Sequence, residues 1–191
     1  MPRSINRLSR SIMEMHPMSN ESWKDLFHKI LHPTPPPDHP LKTAIVGIGN
    51  GMYRDDGVGE RIATRLSARL AGCDTVQVIA AGVAPENCTG LLRRFEPDWV
   101  ILIDSANFDA LPGTVRWIVP EDIEGISAST HTLPLSLLAN YLETSLHCHI
   151  GLLAIQPLDV SSGEGISLPV QIAADALIEA LVEALHQGTP G

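Results

Sequence analysis

The stretch TAIVGIGNGMYRDDGVGE, residues 43–60, decides the fold. Its first half is an apolar run closing on glycine, the pattern of a buried strand. Over residues 57–71, Val58, Ile62, Leu66 and Leu70 recur four apart and predict a helix with one apolar stripe. Between them lies a turn with Gly47 and Gly49 one residue apart, followed by two adjacent acids, Asp55 and Asp56. The turn resembles a nucleotide-binding loop, yet the acids stand where phosphates would go.

The same unit repeats outward along the chain. VQVIAAG (76–82) reads as a second strand, and PENCTGLLRRFEP (85–97) as a short helix closed by Pro97. DWVILID (98–104) is continuously apolar and ends on an acid, which suits the centre of a parallel sheet buried on both faces. GTVRWIVP (113–120) alternates Val115, Trp117 and Val119 and predicts a strand with one wetter face. A helix over 133–144, a buried strand HIGLLAIQP (149–157) and a final helix over 167–186 complete the series. The final helix carries Pro169 in its first turn, where a missing N–H costs little. Alternating strands and helices predict a three-layer α/β/α domain around a mainly parallel sheet.

That domain is expected to span residues 41–188. Residues 1–40 read as an N-terminal extension, with a short amphipathic helix over 22–31 and a proline-rich linker, HPTPPPDHP, over 32–40. The first 20 residues hold three arginines but no continuous apolar segment, so they make a poor secretory signal, and Met13, Met15 or Met18 is a candidate start.

The whole chain of 191 residues has a formal net charge of −9, which argues against nucleic acid as a partner. The acidity is concentrated beyond residue 40, where eight Lys and Arg face eighteen Asp and Glu. No apolar run is long enough to cross a bilayer. Cys73, Cys88 and Cys148 show no CxxC spacing, so a disulfide framework is not expected and a reducing cytoplasm is the default compartment.

The nucleotide reading of the loop fails on its parts. A G-x-G-x-x-G loop needs a third glycine where Met52 stands, and an acid at the end of the second strand where VIAAG has none. A diphosphate would also meet Asp55 and Asp56, and like charges about 4 Å apart repel by about 4 kcal/mol at an effective dielectric of about 20. Helix capping accounts for one of the two acids. The other, Asp56, is expected to face the rim at the carboxyl end of the first strand.

Asp104 terminates the most apolar strand and falls on the same rim, where open α/β sheets bind their ligands. His131, in the polar loop SASTHTLPL, is a third candidate. Two carboxylates and an imidazole form a mixed O/N set suited to Zn²⁺, Ni²⁺ or Fe²⁺. The neighbouring trio His147-Cys148-His149 does not: in a strand, the two histidines share a face and the cysteine points away. The chain has no G-x-S-x-G elbow and no H-E-x-x-H helix.

The pieces GIGNGMYRDDGVG, AAGVAPEN, LIDSAN, PGTVRW, STHTLPL and IQP occur in the order and approximate spacing of the hydrogenase-maturation endopeptidases, and the chain from about residue 43 resembles that family. PEN and the THTLPL segment resemble the formate-hydrogenlyase and group 4 hydrogenase branch in particular. The resemblance implies a twisted five-stranded sheet between helices. It also implies one cut that removes the C-terminal extension of a nickel-loaded [NiFe]-hydrogenase large-subunit precursor.

The family's nickel-sensing ligands fall on Asp56, Asp104 and His131. The nickel is then presented by the precursor rather than held permanently, and a cytoplasmic, aspartic-type endopeptidase, expected as a monomer, is implied. One departure stands out: many members have an acid at the end of the second strand, where this chain reads Ala80-Ala81-Gly82. It leaves open a non-catalytic metal- or precursor-binding chaperone on the same fold.

Overall fold

The computed structural model describes residues 22–34, 37–125, 127–128 and 134–186. Helix α1 (Trp23–Leu31) is followed by β1 (Thr43–Ile48), α2 (Val58–Arg69), β2 (Val76–Gly82), α3 (Thr89–Phe95) and β3 (Trp99–Asn107). Then come β4 (Val115–Ile118), the two-residue β5 (Ser127–Ala128), α4 (Leu135–Leu146), β6 (His149–Ile155) and α5 (Leu168–His186). All the strands and helices expected from periodicity are present.

The sheet runs β2-β1-β3-β6-β4, parallel throughout except that β4 is antiparallel to β6. β5 adds a short antiparallel pairing to the end of β3, at Ala106 and Asn107. Burial follows position in this order. β1 is buried at every residue and β3 at all but its last, whereas edge strands β2 and β4 are mostly half-buried.

Two apolar clusters cover the two faces, which confirms the three layers. On one face Ile45, Ile101 and Leu153 meet Ile62 and Leu66 of α2, Leu177 and Leu181 of α5, and Phe27 of α1. On the other, Val46, Leu102 and Leu152 meet Leu92 of α3 and Leu138 and Leu142 of α4. The amphipathic helix α1 thus sits on the main core, with Phe27 and Ile30 buried against α5 and β4.

The chain leaves β1 through α2 to reach β2 and returns through α3 to β3, on the opposite side of β1. The gap between the carboxyl ends of β1 and β3 is therefore the switch point of the sheet, where ligands of such folds bind. Close packing there depends on backbone. A Cβ on Gly59 would lie 2.1 Å from the Ile103 carbonyl oxygen and 2.3 Å from that of Ile48, so only glycine lets α2 start directly against both strands. Gly49, at φ +135° and with its missing Cβ 1.9 Å from the Asp56 carbonyl oxygen, makes the turn.

The His147-Cys148-His149 trio is split between elements rather than lying along one strand. His147 ends α4 in a left-handed conformation at φ 54°. Cys148 is buried beneath that helix, and His149 opens β6 with its ring 4.7 Å from Trp99. Among the described residues no group of three or more His, Cys, Asp or Glu side chains is arranged to hold a metal ion.

Candidate active site

Asp56 and Asp104 come together at the switch point. Gly47–Ile103 is the last pair between β1 and β3, so Asp104 lies where β1 turns away into the loop that carries Asp56. Both side chains are buried, Asp56 at 2% and Asp104 at 0% exposure. Ser105 joins them: its main-chain N–H donates to Asp104 Oδ1 at 2.8 Å, and its hydroxyl donates to Asp56 Oδ1 at 3.5 Å. The Asn50 N–H donates to Asp56 Oδ2 at 3.1 Å, closing the glycine loop around the carboxylate. Two buried carboxylates on one rim supply oxygen donors of the kind that bind cations.

His131 lies outside the described residues. β5 ends at Ala128, paired with Ala106 just beyond Asp104, and His131 follows three residues later in sequence.

The capping role expected for one of the adjacent acids is not observed. The N-cap residue of α2 is Gly57, with no side-chain cap, and a 3₁₀ turn, Arg54–Gly57, carries both acids ahead of the helix. Asp55 instead turns away from the switch point and accepts hydrogen bonds from Leu158, Asp159 and Ser167. Its partners lie more than a hundred residues along the chain, beyond the reach of local pattern.

Two further polar residues, Gln156 of IQP and Ser105 of LIDSAN, belong to the site although no sequence pattern marks them. Gln156 Oε1 accepts from the N–H of Phe108 at 2.9 Å and Ala110 at 3.3 Å, and its Nε2 donates to Asn107 Oδ1 at 3.0 Å. Ala80, where relatives often carry an acid, pairs with Gly47 on the edge strand and is exposed.

The two buried thiols, Cys88 and Cys148, are poor nucleophile candidates. Burial, then the nearby Glu86, pushes Cys88 up from its ordinary value, and burial pushes Cys148 up to about 12. A thiol held protonated is unreactive.

Fold and site together define an α/β protein whose polar centre is a pair of buried carboxylates at the switch point of a parallel sheet. The family model described as HycI, hydrogenase maturation protease, matches residues 60–184. The hydrogenase 3 maturation protease of Escherichia coli is 31% identical over 142 residues, covering 74% of this chain and 89% of that protein. The crystal structure of a [NiFe] hydrogenase maturation protease HycI from Thermococcus kodakarensis superposes with a TM-score of 0.71 at 30% identity, over 78% of this chain and 95% of that one. The hydrogenase maturating endopeptidase HybD of E. coli, at 20% identity and a TM-score of 0.61, shares the fold. The chain belongs to the hydrogenase maturation protease family.

Proposed function

We propose that the protein is an endopeptidase that removes the C-terminal extension of a nickel-loaded [NiFe]-hydrogenase large-subunit precursor. The observation that carries this reading is the meeting of Asp56 and Asp104 at one rim, joined through Ser105. Family membership supplies the peptidase class, and the similarity to a hydrogenase 3 maturation protease favours a precursor of the formate-hydrogenlyase type.

Nickel is part of the substrate in this reading, held by the precursor's own cysteines. Asp56, Asp104 and His131 add oxygen and nitrogen ligands to it, which fixes the scissile bond at the rim. Holding reactants in place can supply up to about 7–11 kcal/mol of a barrier. A rim carboxylate then takes a proton from the attacking water. Ala80 removes the second-strand acid from consideration as that base. No helix among the described residues is long and apolar enough to cross a membrane. The proposal further takes the encounter to be cytoplasmic and the protein to act as a monomer.

Ala80 also supports a second reading, a chaperone that binds the loaded precursor without cutting it. Incubating the protein with nickel-loaded and nickel-free precursor, and following intact mass, separates the two. The peptidase reading expects loss of the extension from the loaded precursor alone, and Asp56→Asn is expected to slow it by roughly 10²–10⁴-fold. Tight binding with no mass loss establishes the chaperone. Equal cleavage of both precursors rules out a nickel gate.

A further inference from the structure

Two buried polar side chains beside the site, Asp55 and Gln156, take no part in the chemistry above; Asp55 reaches the segment 156–167, and Gln156 opens it. Asp55 is wholly buried. Its Oδ2 accepts from the N–H of Leu158 at 2.9 Å, the N–H of Asp159 at 3.0 Å and the Ser167 hydroxyl at 2.8 Å. Its Oδ1 accepts from the Ser167 N–H at 2.7 Å. Ser167 is the entry to α5, since its carbonyl accepts from the Gln171 N–H at 2.8 Å. The carboxylate therefore meets the positive end of a long helix as well as four donors.

Main-chain bonds reinforce the contact. The Asp55 N–H donates to the Asp159 carbonyl at 3.1 Å, the Arg54 N–H to Gly163 at 2.9 Å, and the Gly163 N–H to Met52 at 2.8 Å. Gln156 holds the other end of the segment, binding Asn107, Phe108 and Ala110 just beyond Asp104. Residues 156–167 thus brace two loops at once, one carrying Asp56 and the other following β3, the strand that carries Asp104.

We propose that Asp55 is a positioning residue: through the 156–167 segment it sets Asp56 against Asp104, and Gln156 does the same from the Asp104 side. A buried carboxylate is costly unless its oxygens are satisfied, and here the acceptors are spent on one remote segment rather than on the helix that follows. The adjacent acids have divided their work, Asp56 towards the rim and Asp55 towards its support. The inference rests on the reading of Asp56 and Asp104 as the groups that receive the precursor's metal.

The test uses the full chain carrying Asp55→Asn, Ser167→Ala or Gln156→Glu, with kcat and KM measured on nickel-loaded precursor and thermal unfolding recorded alongside. Asp55→Asn turns an acceptor into an amide facing N–H donors. It is expected to lower kcat by roughly 100-fold, the scale of a 1 Å misplacement, with KM within about threefold of the wild type. Ser167→Ala removes the donated hydroxyl and leaves the main-chain donors, so a smaller fall in kcat is expected.

A lowered melting temperature with unchanged kcat per folded molecule would make the role of Asp55 structural only and overturn the proposal. Should Asp55→Asn not fold, a folded Ser167→Ala and a folded Gln156→Glu that both retain wild-type kcat overturn it equally. Wild-type cleavage of nickel-free precursor refutes the metal reading, while the kcat comparison still decides positioning. If the wild type binds without cutting, the affinity of the variants for loaded precursor replaces kcat: a loss of roughly tenfold or more supports positioning, and unchanged affinity overturns it.

Discussion

Ser105 touches both carboxylates, and it does so with different atoms. Its main-chain N–H serves Asp104 at 2.8 Å, and its hydroxyl reaches Asp56 at the long distance of 3.5 Å. Ser105→Ala keeps the first contact and deletes the second. A hydrogen bond this long belongs at the weak end of the usual range, about 0.5–1.5 kcal/mol. Cleavage of loaded precursor is therefore expected to fall by only roughly 2–3-fold, and combining Ser105→Ala with Asp56→Asn is expected to give no further loss. Full additivity in that double-mutant cycle would show that the hydroxyl does not act through Asp56. At this scale the sequence was half legible. The meeting of Asp56 and Asp104 could be read because each lies where a strand delivers its chain to the rim. The contacts of Asp55, Ser105 and Gln156 could not, because they are made to partners 46 to 112 residues away.

Among the elements, the junction of α2 with β1 and β3 shapes the site most directly. The turn has the outline of a dinucleotide loop, but the glycine that permits close helix–strand packing is Gly59, inside the helix, and the intervening residues hold acids instead of a phosphate cradle. A methyl group on Gly59 would press on the carbonyl oxygens of Ile48 and Ile103, which are main-chain atoms of buried strands. Gly59→Ala is expected to destabilise the fold by about 1–3 kcal/mol, read as a lower urea midpoint. Because Ile103 immediately precedes Asp104, cleavage per folded molecule is expected to fall with it. An unchanged midpoint would mean that α2 can shift freely off the sheet. The elements themselves were largely legible, since buried parallel strands are apolar throughout and the helices carry clear stripes. The exceptions follow from tertiary context: His147 reads as part of a strand but ends α4, and one of the adjacent acids reads as a helix cap, whereas α2 has no side-chain cap and Asp55 is drawn to the segment before α5.

Across the whole molecule, the two ends of the sheet separate His149 from the chemistry. The carboxylate pair lies at the carboxyl ends of β1 and β3. His149 lies at the amino end of β6, paired with Trp99 at the amino end of β3. Burial lowers the pKa of His149 below its ordinary 6.5, with Asp98 partly offsetting the shift. Between that lowered value and 6.5 the unfolded chain binds the proton more readily than the folded one, so stability falls as pH drops through this window. A second loss belongs to Asp159, Asp175 and Glu179, whose pKa values are lowered mainly by hydrogen bonds to Ser161, Arg65 and Arg69 respectively. Their stabilisation is present above their unfolded values of 3.8 for aspartate and 4.5 for glutamate, and is lost as pH falls below them. Urea unfolding of the wild type is thus expected to weaken in two stages on acidification. His149→Gln should flatten the stage just below pH 6.5 and leave the carboxylate stage in place, with cleavage at pH 7.5 unaltered because the substitution is at the far end of the sheet. If His149→Gln loses as much of its urea midpoint between pH 7.5 and 5.5 as the wild type does, the acid sensitivity lies elsewhere in the fold.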